Sequence, residues 1–539
     1  MALRNRKLAA LALFVALTVL HTWPLASDPA HLSRLDNDDA SLNTWAIAWV
    51  AHVLPRAPLN LFEAPTFYPE RHTLAYSEHM VVQAVMGAPL LWSNVSPVIV
   101  HNLLFMLGML LSSWAMCLLV TTWTGSWPAG VVAGMLYTFN ALLLARFAHL
   151  QAQHTEFLPL MLYGLDRVLD RGRLRDAMIL AAGFVLQSLC SNYLMVFCTF
   201  TLMVAILVRP ADWLGAGRGR VRLNLALAGA VSVVALAPFG LPYYLINREL
   251  GLTRSLADVA RYSAGWTDYL ATGGRLHYAL WSHRYFENHT PLFPGITALA
   301  LVVVALQSVR TRRDPRVRMT IAFGLLGFAF SFGAATPGYE WLHTHVPLLG
   351  ALRAAARWGW LALTAVAILA GYAVARLEER WGRAAAWPAI VVILGTLVTV
   401  EAARTPVEFT RFEGIPPIYD RLAAEPRVVL EEFPFYWGPS FNRNGPYMVY
   451  NTRYLQPLVN GYSSFQSRAY EARGQRLQDF PAPAAVDELR TIGVTHVMVH
   501  VDGFTHDFGP DAVGKVDAVH DLELVADEDG IRLYRLRQP

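Results

Sequence analysis

The stretch Leu35-Asp36-Asn37-Asp38-Asp39-Ala40 sets three carboxylates within four residues, shortly after the first long apolar run. Packing alone does not call for such a cluster. Its chemistry suits oxygen ligation of a hard divalent cation, Mg²⁺ or Mn²⁺, or deprotonation of a hydroxyl beside a lipid-borne phosphate. One carboxylate would serve as general base while another holds the cation. The structural alternative is a solvated loop whose acids cap a helix starting near Ser41, with Asp39 favoured by the helix dipole.

Other candidates lie further along. The run His149-Leu150-Gln151-Ala152-Gln153-His154-Thr155-Glu156 gathers two imidazoles, two amides and a carboxylate, with Arg146 just before it. This set suits a metal site that His154 completes with Asp36 and Asp38, or a phosphate held by Arg146 and His149, with Glu156 as a second acid. A polar turn at a membrane interface accounts for the same residues, and no His-Glu-x-x-His spacing is present. The segment 246–290 mixes Tyr262, Trp266 and Trp281 with Arg275, Arg284 and Asp268. That mixture suits a sugar that needs a stacking face and a phosphate that needs charge, or else an aromatic interfacial belt. Arg353 and Arg357 stand at the entrance of a late apolar run. Arginine there needs a partner: a lipid-linked phosphate, an acid such as Asp268, or headgroups reached by snorkelling.

The elements that must position these residues are mostly membrane helices. Of the 539 residues 55% are hydrophobic and only 16% charged. Mean hydropathy is +0.34. Soluble domains carry about a quarter charged residues, so this is a membrane composition. No Lys/Arg block alternates with aromatics, which argues against a nucleic-acid partner. Cys117, Cys190 and Cys198 all lie in apolar runs and imply neither a disulfide framework nor a thiolate metal site.

A crossing helix needs roughly 20 mostly apolar residues. Residues 8–25, 98–120, 127–146, 155–169, 223–245, 291–309, 319–335, 357–375 and 384–403 are read as spans. The run Ala177–Val208 would be about 48 Å long as one helix, too long for a core of about 30 Å. Arginines flank both its ends, so it is read as a hairpin turning near Ser191-Asn192-Tyr193. With eleven spans, every Arg-rich cluster falls on one side, and the positive-inside bias puts the N-terminus in and the C-terminus out. Residues 42–54 and 80–92 are apolar but short, and are expected to be interfacial or re-entrant. The expected architecture is a mainly α, multi-pass protein of the cell (inner) membrane over 1–403, with a first outer loop at 26–96. A small extracytoplasmic α/β domain follows over 404–539. Within it, Ala484–Ile492 reads as a helix feeding a strand, and the pattern around Asp527-Glu528-Asp529-Gly530 predicts a hairpin. The domain's dense aromatics read as core and docking face.

The layout resembles the GT-C superfamily of integral-membrane glycosyltransferases. The resemblance covers most of 1–403. It consists of a cytosolic N-terminus, the acidic motif Leu35-Asp36-Asn37-Asp38-Asp39 in the first outer loop, interfacial helices after it, and a soluble domain after the last span. Phe67-Tyr68-Pro69, Leu292-Phe293-Pro294-Gly295 and Val459-Asn460-Gly461-Tyr462 are similar to stretches of bacterial members. The resemblance implies a polyprenyl-phosphate-linked sugar donor and a glycan, lipid or protein acceptor, with the site facing the periplasm or exterior. Asp36 or Asp38 would be base or metal ligand in an inverting displacement. Asp39, Arg146, His149, Asp268, Arg353 and Arg357 would contact substrate. Two other classes compete: a transporter or flippase for lipid-linked glycans, which calls for mid-span charges and a two-fold repeat, and a noncatalytic envelope scaffold.

Overall fold

A computed structural model describes residues 2–251 and 254–537 and is mainly helical. Contacts divide the chain into two compact units. One comprises Met1–Ser27, Leu103–Gly240 and Leu252–Glu408; the other comprises Asp28–Asn102, Leu241–Gly251 and Phe409–Pro539.

The first unit is all helical. Each stretch read as a span contains a helix, and by length and composition Pro97–Thr124, Gly219–Leu250 and Ala355–Trp381 are long and apolar enough to cross a membrane. The long run 177–208 breaks at Ser191, in extended backbone between Leu174–Cys190 and Asn192–Leu207, and the two helices pack on each other. Phe157–Arg171 lies close against Leu174–Cys190. A Cβ on Gly183 would stand 2.6 Å from the Met161 amide nitrogen, so only glycine permits this approach. Small residues at such contacts let apolar helices gain dispersion energy from backbone proximity.

Two stretches differ from the sequence reading. Residues 127–146 do not form one helix: Trp127–Thr138 ends, and Asn140 caps a new turn. Its amide donates to the Tyr137 carbonyl at 2.7 Å and its side-chain oxygen accepts from the Leu143 amide at 3.0 Å. One side chain thus serves both broken ends. In 291–309 the helix starts only at Ile296, because Leu292 and Phe293 are extended and donate to the carbonyls of Asp268 and Ala271. Gly295, at φ 94°, turns the chain into the helix.

The second unit is mixed. Strand β1 (Leu32–Ser33) pairs antiparallel with β2 (Thr410–Arg411). Strands β3 (Leu430–Phe433), β4 (His496–His500), β5 (Leu522–Glu528) and β6 (Ile531–Leu536) form a sheet of order β3-β4-β6-β5, parallel only between β3 and β4. The expected hairpin is β5–β6. Its two loop residues, Asp529 and Gly530, both have positive φ, as a type I′ turn requires. Helix Pro483–Ile492 feeds β4, as its apolar periodicity predicts.

The segment 28–102 belongs to this unit and is stitched to its later residues. The Phe67 and Tyr68 amides donate to the carbonyls of Asn460 and Leu458, and Leu458 returns a bond to Pro65. The helix Asp38–Val53 is buried along nearly its whole length and packs against Val81–Trp92 and Gly445–Asn451. An interfacial helix would keep a wet face. This one buries polar Ser41, Asn43 and Thr44 along with its apolar residues, and Thr44 meets His101 Nδ1 at 2.9 Å.

Strand β3 carries two acids that the sequence reading passed over. Glu431 and Glu432 on β3 are fully buried. Glu432 accepts from Tyr419 Oη at 2.6 Å and pairs with His500 Nε2 at 2.7 Å. Glu431 has no hydrogen-bond partner, and burial holds its carboxyl well above the usual range against the pull of Arg473. The folded state therefore keeps the proton that the unfolded chain releases. The stabilisation is complete below the ordinary glutamate pKa and is lost as pH rises through the raised folded value. Thermal melts should show stability falling toward neutral pH by up to about 1.4 kcal/mol per pH unit, with a shallower slope in Glu431→Gln. Equal slopes in the two proteins would contradict this account.

Candidate active site

Asn37 caps the helix Asp38–Val53, its side-chain oxygen accepting from the Asp39 amide at 3.1 Å. The cap puts Asp38 and Asp39 in the first turn, where the exposed amides and the dipole favour negative charge. The three acids then diverge. Asp36 is exposed and gives both oxygens to Arg34, at 2.9 and 3.1 Å. Asp39 accepts from Tyr462 Oη at 2.9 Å. Asp38 is half-buried, and Asn442 Nδ2 donates to its Oδ2 at 2.7 Å. Burial pushes the Asp38 carboxyl above the usual aspartate range. The Asn442 bond works against that rise, while Asp39 and Asp36 add to it. A carboxylate so raised suits a general base.

Gly445 makes the fit possible, since a Cβ there would stand 3.2 Å from Asp38 Oδ1. The rings of Phe441 and Tyr462 sit 5.3 Å apart beside the acids and are partly exposed, unlike Phe433, Tyr447 and Tyr454, which are core. Asn442 carries no sequence signal of its own. Tyr462 lies in the Val459–Tyr462 stretch that the resemblance singled out.

In the helical unit, Arg357 lies within a single turn, Ala355–Trp358, and Arg353 lies just before it. Trp358 anchors that turn, fully buried among Phe197, Phe200 and Phe330 with ring centroids 4.4 to 5.4 Å away. Arg357 lies over the Tyr193 ring at 4.5 Å and Arg353 over Tyr262 at 5.3 Å. Neither forms an ion pair among the described residues, and Arg357 Nε is buried without a hydrogen bond. Arg254 joins them: burial and the nearby Arg353 lower its guanidinium pKa. The sequence reading missed Arg254, although the argument used for Arg353 applies to it equally. Such clustered cations over aromatic faces suit a phosphate.

The remaining candidates have structural duties. His154 is fully buried, with Nδ1 on Glu156 Oε1 at 2.9 Å and Nε2 on the Leu104 carbonyl at 3.1 Å. Glu156, also buried, takes a bond from Ser112. Gln153 and Gln187 tie the same turn to neighbouring backbone carbonyls. Asp268 is buried and accepts from the amides of Gly265 and Thr290 at 2.8 and 2.6 Å, so it braces its loop and is no partner for the arginines. Arg146 and His149 are partly exposed at the start of that polar turn, and their backbone carbonyls bond within it.

Among solved structures, the chain is similar to the arabinofuranosyltransferase AftD from Mycobacteria, with a TM-score of 0.61 and 15% identity, covering 99% of this chain and 40% of that one. It is similar to the oligosaccharyltransferase AglB from Archaeoglobus fulgidus in complex with an inhibitory peptide and a dolichol-phosphate (TM-score 0.55, 12% identity, 92% and 69% covered). It is also similar to ArnT from Cupriavidus metallidurans bound to undecaprenyl phosphate (TM-score 0.50, 14% identity, 97% of each chain). This chain has the GT-C fold. At such identities the fold is what is shared. No protein-family model and no curated protein matches the sequence.

Another structure of the Archaeoglobus enzyme is a complex with Zn and sulfate, which raises the question of a metal in this GT-C chain. The residues expected to ligate one do not fit it. Asp36 spends both oxygens on Arg34, and both nitrogens of His154 are engaged within the other unit. Among the described residues no group of three or more His, Cys, Asp or Glu is placed to hold a metal ion. Titration of purified protein with Mn²⁺, read by the paramagnetic signal of free ion, should show no tight site that Asp36→Asn or Asp38→Asn removes. A site lost in either variant would refute this.

Proposed function

We propose that this protein is an integral-membrane glycosyltransferase. It moves a sugar from a polyprenyl-phosphate donor to an acceptor hydroxyl on the extracytoplasmic face, with inversion. The observation that carries the reading is Asp38: a half-buried carboxylate of raised pKa, held by Asn442 at a helix start, in a chain with the GT-C fold. The lipid phosphates bound by AglB and ArnT support a lipid-phosphate leaving group. In this reading the chain crosses the inner membrane eleven times, N-terminus in, as its arginine distribution favours. Residues 1–403 form the membrane portion with outer loop 26–96, and 404–539 the soluble portion.

Asp38 takes the proton of the acceptor hydroxyl as that oxygen bonds to the anomeric carbon. The bond from that carbon to the phosphate oxygen breaks, and its electron pair leaves with the polyprenyl phosphate. Within their own unit, Arg353 and Arg357 form no ion pair among the described residues and are cations of the kind a phosphate needs. Asp36 stays with Arg34 as a local electrostatic element.

Transfer by purified protein, assayed with a polyprenyl-phosphate sugar, should fall by roughly 10²–10⁴-fold in Asp38→Asn. Asp36→Asn breaks an exposed pair worth about 1 kcal/mol or less and should cost under about tenfold. Wild-type transfer by a correctly folded Asp38→Asn would sink the assignment and favour a transporter or scaffold.

The acidic limb of the pH–rate profile should lie above the ordinary aspartate range, because only ionised Asp38 accepts the proton. Asn442→Ala removes the bond that lowers the Asp38 pKa, so the limb should move to higher pH while the plateau rate changes less. A limb that stays put would show that Asp38 is not the titrating base.

A further inference from the structure

Apart from the acid motif and the Tyr-backed arginines, the helical unit carries an open cleft of about 650 Å³ whose chemistry nothing above uses. Its charged lining comprises Asp166, Asp170, Arg209, Arg310, Arg313, Asp314 and Arg316. The floor is a fixed triad. Asp166, nearly fully buried, accepts from Arg209 Nη1 and Arg316 Nε, each at 2.8 Å, and Arg209 also reaches Asp212 at 2.6 Å. Asp314 is committed as well: one oxygen caps the helix Pro315–Ser331 through the Arg316 amide, and the other accepts from Tyr372. The wall acid Asp170 is an exposed residue paired with Arg171 at 3.5 Å.

The cations at the rim are not similarly matched. Arg310 has only an exposed pair with Glu379 at 3.8 Å. Arg313 forms no ion pair or side-chain hydrogen bond among the described residues. Two exposed guanidinium groups thus line an open cleft whose other two arginines are already anchored by carboxylates. Mutual repulsion there is relieved by an anion with several acceptor oxygens, for which guanidinium forks are the matching donors. The volume lies within the range of small-molecule sites.

We propose that this cleft is a phosphate-binding site, with Arg310 and Arg313 as the recognising residues and the Arg209–Asp166–Arg316 triad as its rigid floor. The chemistry is that of a phosphate group, borne by an anionic lipid headgroup or by a soluble phosphate compound. On the topology proposed above the mouth faces the cytosol. The site itself stands without that topology.

The test uses full-length purified protein and two probes: inorganic phosphate in detergent, and vesicles of phosphatidylcholine with or without phosphatidic acid. Binding is read by thermal shift and by ³¹P line broadening, which need no transferase activity. Wild type should be stabilised by at least one probe. Arg313→Glu should bind it roughly tenfold more weakly, the cost of one charge-assisted bond. Arg312→Glu reverses an exposed neighbour that does not line the cleft and should respond as wild type does. A response to phosphatidic acid alone identifies a headgroup site, and a response to free phosphate identifies a soluble ligand. If neither probe stabilises wild type, or if Arg312→Glu and Arg313→Glu lose the response equally, the proposal is overturned. Because neither readout involves sugar transfer, failure here is distinguishable from failure of the glycosyltransferase assignment.

Discussion

A carboxylate taken out of water must find donors, and that requirement organises the mixed unit. Asp38 and Asp39 open a buried helix and meet Asn442 and Tyr462, which lie 404 and 423 positions later. The helix dipole and the Asn37 cap help, but each is worth only about 1 kcal/mol. The distant side chains settle which oxygen is held and which stays available. Lone-pair accounting therefore separates three chemically identical aspartates. Asp36 is exposed and faces Arg34 with both oxygens, Asp39 accepts from a phenol, and Asp38 is half-buried beside the close approach at Gly445.

Much of this was legible in the sequence because it rests on local rules. Apolar run lengths located the helices, and the excess length of 177–208 called for the break found at Ser191. The β5–β6 turn was readable from Asp529-Gly530, since few residues tolerate positive φ. The acid motif stood out because nothing in packing explains it. What was illegible was long-range. No local pattern announces that residues 28–102 share a core with 409–539, nor that Asn442 is the donor Asp38 needs.

Polar residues in apolar surroundings were the other source of misreading. His154, Glu156 and Asp268 looked like ligands because their side chains are rich in chemistry. In the structure His154 and Glu156 pair with each other and reach the Leu104 carbonyl and Ser112, while Asp268 accepts from two loop amides. Orphaned backbone groups in an apolar setting cost several kcal/mol, and a buried imidazole or carboxylate is an effective remedy. Arg353 and Arg357 differ because among the described residues they form no ion pair and lie over tyrosine rings. Trp358 holds them in place through packing alone.

The path of the chain through the mixed unit carries a consequence for how the molecule is made. Its central helix emerges from the ribosome early, while β2, the sheet and the Leu458–Asn460 segment that clasps Phe67 and Tyr68 come last. Until some four hundred further residues have been synthesised, that helix has Val81–Trp92 beside it but lacks Gly445–Asn451. The side left uncovered is meanwhile an invitation to misassociate. Closure of this unit's core therefore waits on residues made long after its central helix.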